Sequence, residues 1–402
     1  MKKAGLWFIL MACGFVGISH AATIMHKFVA IDEGKGNLLY VNEYDSTKNW
    51  IVPIGKSAPR DMQLIGKNRI LIGYDGGYLE FGLDSGKILK TVSGFGGSTS
   101  ARRLPNGHTL ITGVNLAGAT GVVIAEVDSA NAILNKIVYP GDYCRIMRQT
   151  EANTYLIGRD TMIQEGDNTG TFIWKARIAG FSHAWKAVRL PSGNTLISGG
   201  YGAFMVEVDK SANIVRKFGD KASVPTAVSP YFYAMFQLLT NGDVVVANWQ
   251  GHGDGHGASG IQMLEFNATG AIVWQWSKAA IISSLQGVLV LDSLNTNLLY
   301  DERNGVMEPL TTTSVSGGVR YGASGLCPYR IVPQSDGICI VPPTENPYSV
   351  SILNAAGMSV VRFSRRGTGF VPTTGRINAS GVYLVRITDG CREFEQPVRI
   401  MR

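Results

Sequence analysis

The segment Asn248-Trp-Gln-Gly-His-Gly-Asp-Gly-His-Gly-Ala-Ser-Gly260 places His252, Asp254 and His256 at alternate positions with glycine between them. Two imidazoles and a carboxylate on so pliant a backbone are donors that a divalent metal accepts. The same glycines equally suit a tight, solvated loop tip that holds nothing. Asn248 and Trp249, at the base of the segment, offer an amide and a broad aromatic face for a binding wall. A second group is Gly180-Phe-Ser-His-Ala-Trp185. His183 there has the chemistry of an acid, a base or a nucleophile, or it hydrogen-bonds a neighbouring loop. Arg102 supplies a cation that binds a ligand or pairs with a nearby acid. Tyr201 and Tyr231, with Trp249, either stack on a sugar or aromatic ligand or pack between structural units. No Walker loop, zinc-type Cys/His spacing or recognisable nucleophile–base pair accompanies these residues.

Such residues act only if a frame brings them together, and the chain repeats one. Arg103-Leu-Pro-Asn-Gly-His-Thr-Leu-Ile-Thr-Gly113 returns as Arg189-Leu-Pro-Ser-Gly-Asn-Thr-Leu-Ile-Ser-Gly199, with weaker copies at 63–73, 148–158 and 237–247. Each reads as strand, tight turn, strand, the Asn-Gly corner supplying the positive-φ residue. A second hairpin follows each copy, as in Val123–Asp128 with Ala132–Val138, so a unit has four antiparallel strands. The anchors Leu71, Leu110, Leu156, Leu196 and Val245 lie 39, 46, 40 and 49 residues apart. That is the ~40–50-residue period of a propeller blade. The expectation is an all-β chain: a six-bladed β-propeller over 22–310, with seven blades if Leu38–Val41 belongs to a further unit. Gly287–Leu294 and Leu298–Asp301 should give two strands of a shared blade and the N-terminal segments the last two. That pairing closes the ring and removes open edges. Loops joining second and third strands, and loops between blades, should gather Phe181–Trp185, Pro230–Tyr233 and Asn248–His256 at one end.

Hydrophobic residues make up 45% and charged residues 17%, enough to bury a large core and too ordered a composition for a disordered chain. The basic residues are scattered, which argues against a nucleic-acid groove built on a basic stripe. Lys2 and Lys3 precede an apolar run of 13 residues, Leu6 to Ile18, shorter than the ~20 that span a bilayer. With Ser19-His-Ala21 behind it, the run reads as a signal peptide over 1–21; lipidation at Cys13 and a buried N-terminal strand are the alternatives. No second long apolar segment follows, so the mature chain has no expected transmembrane span. Export permits disulfides, and Cys327–Cys339 is the favoured pair, with Cys144 a buried free thiol. Residues 311–325 read as a Thr/Ser/Gly linker, and 326–402 as a small β-sandwich of short alternating segments.

Two resemblances extend this reading. Ser349-Val-Ser-Ile-Leu-Asn-Ala-Ala-Gly357 followed by Gly381-Val-Tyr-Leu-Val-Arg-Ile387 resembles the C-terminal sorting domains of type IX secretion, over about 75 residues of tail. It implies that secretion machinery as a partner and a secreted or outer-surface location in a Gram-negative-type bacterium. An ordinary accessory module would leave the chain periplasmic. Gly270–Trp274 and the Leu-Pro-Asn-Gly turns resemble quinoprotein-like and arylsulfotransferase-like propellers over residues 28–301. That likeness admits a quinone cofactor. No histidine here aligns with the channel histidine of arylsulfotransferases, so no residue role carries over. The first functional expectation is a binding or scaffolding module for an extracellular glycan, small molecule or protein. The alternative is a quinone-dependent oxidoreductase, or a transferase or lyase, using the central pocket.

Overall fold

The computed structural model describes residues 24–292 and 329–400, apart from short interruptions in each. The leader, the linker, Leu298–Asp301 and the Cys327–Cys339 pairing lie outside the described residues. The chain divides into two compact units, Met1–Thr311 and Thr312–Arg402. No helix among the described residues is long and apolar enough to cross a membrane.

The first unit is a β-propeller, with six four-stranded antiparallel sheets among its described residues. Sheet two shows how the sequence builds each one: Ser98–Arg103, Thr109–Val114, Val122–Val127 and Ile133–Tyr139, in chain order. The first hairpin closes where Gly107, at φ +85°, lets its amide donate to the Leu104 carbonyl at 2.9 Å. The outer hairpin closes on an Asx turn, Asp128 Oδ1 accepting from the Ala130 and Ala132 amides at 2.9 Å each. Asp167, Asp209 and Asn267 repeat that turn in sheets three, four and five. Sheet one begins at Asp61–Leu64, sheet three at Met147–Gln149, sheet four at Ala187–Arg189 and sheet five at Phe232–Leu238.

The sixth sheet joins the ends of the unit. Leu285–Val290 pairs antiparallel with Lys27–Asp32, which pairs in turn with Asn37–Asn42 and then Trp50–Pro53. The division is one strand against three, where the sequence pattern suggests two against two. Leu38–Val41 forms the middle of this sheet, so it belongs to no further unit. Apolar wedges separate each neighbouring pair of sheets. One packs Val29, Ile31 and Leu38 of the sixth sheet against Met62, Ile70 and Phe81 of the first. Another packs Phe28, Ala30 and Val288 against Val245 and Trp274 of the fifth. Four more wedges complete the circuit. Each sheet thereby buries both faces, which a lone four-stranded sheet cannot do.

The first strands face the axis, where a buried polar network lies beside the apolar cluster of Ile146, Ala234 and Met235. Asp61, fully buried, accepts from Arg148 Nη2 at 2.7 Å and Nη1 at 3.0 Å and from the Ser100 hydroxyl. Burial opposes the Asp61 charge, yet Arg148 and Arg102 hold its carboxyl below the ordinary range. Lys186 donates to the Phe236 carbonyl at 2.7 Å.

The second unit has a three-stranded sheet (Arg330–Gln334, Gly337–Val341, Gly369–Pro372) and a four-stranded sheet (Ser359–Arg365, Tyr348–Leu353, Gly381–Asp389, Arg392–Ile400). Ile331, Ile338 and Ile340 of the first share one core with Val350, Ile352, Val385 and Ile387 of the second, a β-sandwich.

Candidate functional site

Antiparallel order puts the entry to every first strand and the exit from every second strand at the same end of the ring. A cavity of about 90 Å³ opens there. Entries supply Ala58 and Arg60, Arg145, His183 and Trp185, and Phe232; exits supply Tyr201, Trp249, His252 and Glu33; Gln286 comes from the first strand of the sixth sheet.

The aromatic wall is continuous. Tyr201 sits 4.7 Å from Phe232, 6.2 Å from Trp249 and 5.4 Å from His183, centroid to centroid. Phe232 lies edge-on to both Trp185 and Trp249 at 5.3 Å. Tyr231 stands at the mouth, 5.7 Å from Tyr201 and 6.1 Å from Trp249. Tyr201 and Tyr231 are 40% and 46% exposed, so each presents ring to solvent. Trp185, Phe232 and Trp249 continue inward through Ile146, Ala234 and Met235, and Met235 Sδ meets Arg148 at 3.8 Å.

Backbone crossings hold the loops. The Gly200 amide donates to the Tyr233 carbonyl at 3.2 Å, and its carbonyl accepts from the Tyr233 amide at 3.0 Å. Tyr201 N donates to Ser182 O at 2.9 Å, tying the His183 loop to the same point. Gly200 has φ +63°, and a Cβ there would lie 2.2 Å from the Ser182 carbonyl oxygen, so only glycine fits. His183 itself sits in the left-handed region at φ +54°, its amide 3.2 Å from Asp160 Oδ1 and its Nε2 3.6 Å from the same oxygen. Burial, followed by the nearby Arg145 charge, lowers the His183 pKa, so the imidazole is neutral at pH 7.

Glu33 organises the opposite side. Trp249 Nε1 donates to its Oε2 at 3.0 Å, and His252 Nδ1 is 2.8 Å from its Oε1. Among the described residues, three lining groups bury polar atoms that no protein group meets: Arg145 Nε, Trp185 Nε1 and Gln286 Oε1. Such atoms cost free energy until a ligand or water satisfies them.

Of the residues singled out from sequence, the structure gathers His183, Tyr201, Trp249 and His252 on the lining and Tyr231 at its rim. Two depart from the expected role. Asn248 is fully buried and clamps the loop bearing Tyr231: its Oδ1 accepts from the Tyr231 amide at 2.9 Å and its Nδ2 donates to Ile261 O at 2.8 Å. Arg102 is 1% exposed on the axial strand and donates to Met62 O at 3.1 Å, away from the cavity. His252, Asp254 and His256 do not converge. His252 turns to Glu33, Asp254 lies exposed 3.9 Å from Lys35 Nζ, and His256 Nε2 meets the His252 carbonyl at 3.1 Å. Among the described residues no group of three His, Cys, Asp or Glu side chains is placed to hold a metal. Glu33 and Gln286 carry no sequence signal, since they belong to the sixth sheet, whose pairing spans the whole unit.

No protein-family model matches the chain, and no curated protein matches it. Among solved structures, a protein of unknown function from Bacteroides caccae is similar over 67% of this chain and 99% of its own, at 20% identity and TM-score 0.57. Virginiamycin B lyase from Staphylococcus aureus covers 64% of this chain and 86% of its own, at 12% identity and TM-score 0.42. The WD40 β-propeller domain of Doa1 covers 58% and 75%, at 11% identity and TM-score 0.41. The likeness to the Bacteroides caccae structure is one of fold.

Proposed function

We propose that this propeller is a binding module whose ligand enters the end cavity and lays a ring against Tyr201 and Tyr231. The observation that carries the reading is a single cavity walled by Trp185, Tyr201, Phe232 and Trp249, with unmet polar atoms among them. The volume of about 90 Å³ is below the ~150 Å³ that holds one benzene, so only the end of a ligand is enclosed. A polycyclic quinone does not fit inside it, and the axial network beyond is occupied by Asp61 and Arg148. The test is a titration of the folded chain, followed by tryptophan emission, with cello-oligosaccharides and with small aromatic alcohols. One of the two series should saturate, and Tyr201→Ala should weaken it about 3–10-fold, as expected for one lost ring contact. A wild-type protein silent to both series would refute the reading.

Catalysis is the second reading, favoured by His183: neutral, left-handed in backbone, beside Asp160 and 5.2 Å from the Tyr143 ring. As a base it would serve a lyase or transferase. A ligand that is bound but returned unchanged after prolonged incubation speaks against it; loss of turnover with retained affinity in His183→Ala speaks for it.

Display outside the cytoplasm belongs to the same proposal. Its support is the charged and apolar pattern of residues 1–21 and the Gly381–Ile387 motif of the tail, as a type IX-like sorting domain. Removing residues 326–402 should then retain the protein inside a type IX-competent host; secretion undiminished by the deletion would refute the sorting role.

A further inference from the structure

The binding reading leaves the chemistry of the ligand open, and the charged half of the cavity narrows it. Arg60 and Arg145 enter from the connections that precede sheets one and three. No hydrogen bond or ion pair reaches the Arg60 guanidinium among the described residues. Burial, then the Arg145 charge, holds its pKa below the ordinary arginine range, so the two cations feel one another. Arg145 is fixed in place: Nη1 donates to Cys144 O at 3.1 Å, and the guanidinium lies 4.1 Å over the Tyr143 ring and 5.6 Å from that of Trp185. Two like charges facing one partly buried space are an unfavourable arrangement that an anion between them relieves.

The counter-charge on the lining is Glu33, and both of its oxygens are engaged by Trp249 and His252. Asp75 also acts on Arg60, so two carboxylates offset the two arginines in part, which suits a monoanion better than a phosphate dianion. The orphaned atoms add a pattern of donors and acceptors. Trp185 Nε1, on a side chain 3% exposed, and Arg145 Nε can only donate, as a carboxylate requires. Gln286 Oε1, on a residue 4% exposed, can only accept, which suits a ligand that also brings a donor such as a hydroxyl. The narrow volume admits the charged end, and Tyr201 at the mouth takes the face of the ring.

Resting on the binding reading above, we propose that the cavity selects a sugar ring bearing one carboxylate, of the uronic-acid class, with the carboxylate between Arg60 and Arg145 and a hydroxyl donating to Gln286. The experiment compares three probes on the full chain by calorimetry at low salt: cellobiouronic acid, its neutral counterpart cellobiose, and benzoate. Cellobiouronic acid should bind at least 10-fold more tightly than either of the others. Arg60→Gln should erase that advantage and melt within a few degrees of the parent, since no hydrogen bond or ion pair holds the Arg60 side chain among the described residues. Equal binding of the acid and cellobiose overturns the carboxylate assignment and leaves the ring-binding reading standing. Benzoate as tight as the acid overturns the sugar assignment. No binding by any probe, with a small-alcohol series also silent, overturns both readings together. Should Arg60→Gln fail to melt cooperatively, the wild-type ratio of acid to cellobiose still decides, with Arg145→Lys as the second variant.

Discussion

His26 lies just before the closing strand and looks idle in the sequence. In the fold it is 6% exposed, with Nε2 2.8 Å from Glu265 and Nδ1 3.2 Å from Asp292. Burial by itself lowers an imidazole pKa, but here the hydrogen bonds to Asp292 and Glu265 outweigh it and raise His26 from 6.5 to about 9. A raised folded pKa means stability that is fully present below about 6.5 and lost as pH rises through about 9. The melting temperature should therefore fall across that window, by the equivalent of at most ~3 kcal/mol. His26→Gln should flatten the dependence when thermal melts are run from pH 6 to 10; an unchanged slope would show that other groups set it. Asp61 is the second residue with a large expected cost. Asp61→Asn leaves Arg148 buried against a neutral partner and should cost about 3–5 kcal/mol in a denaturant titration, as for any broken buried pair. Trp249 is 2% exposed and packed in the inner cluster, so Trp249→Ala should lower the melting point as well as any affinity. Tyr201 is the cleaner probe of binding.

At the scale of elements, the recurring strand–turn–strand phrase is a local signal, and it marks sheets one to five directly. Pro-Asn-Gly corners and Asp/Asn outer turns act within a dozen residues, so sequence displays them directly. The sixth sheet was legible only in outline, because which of 27–53 pairs with 285–290 is decided by contacts between chain ends. The cavity shows the same division. The loops bearing His183, Tyr201 and Trp249 follow from strand order, whereas the inward turn of Glu33 and Gln286 depends on packing. Asn248 follows the same rule: an amide at the base of a glycine-rich loop looks available in sequence, whereas in the fold its backbone partners engage it. Between sheets, third-strand glutamates are met by cations of the next sheet: Glu80 by Arg103 at 2.6 Å, Glu165 by Arg189, Glu265 by His26. Gly200 is the element-level test. Gly200→Ala drives a methyl into the Ser182 carbonyl and should loosen the 182–200–233 crossing, read as faster amide exchange at Tyr201 and Tyr233 with the outer strands unchanged.

At the scale of the molecule, the ring stands on one long-range pairing, Phe28 with Val290 through Ile31 with Gly287. Deleting residues 22–54 removes three of the four closing strands and opens two wedges, so cooperative melting of the whole propeller should vanish. A truncated protein that still melts near the parent temperature would contradict closure. The same pairing sets a timetable for the newborn chain. Residues 27–32 are the first of the propeller strands to leave the ribosome, yet their neighbour is synthesised about 250 residues later. At roughly 5–20 residues per second, those strands wait on the order of 10–50 s with one edge bare. Contacts so distant in sequence make the final step slow, since the intervening loop must be closed before the pairing gains anything. For that interval the five inner sheets can be present while the circle is not, and the chain is at its most exposed to mispairing with a sister copy and at its easiest to thread or capture.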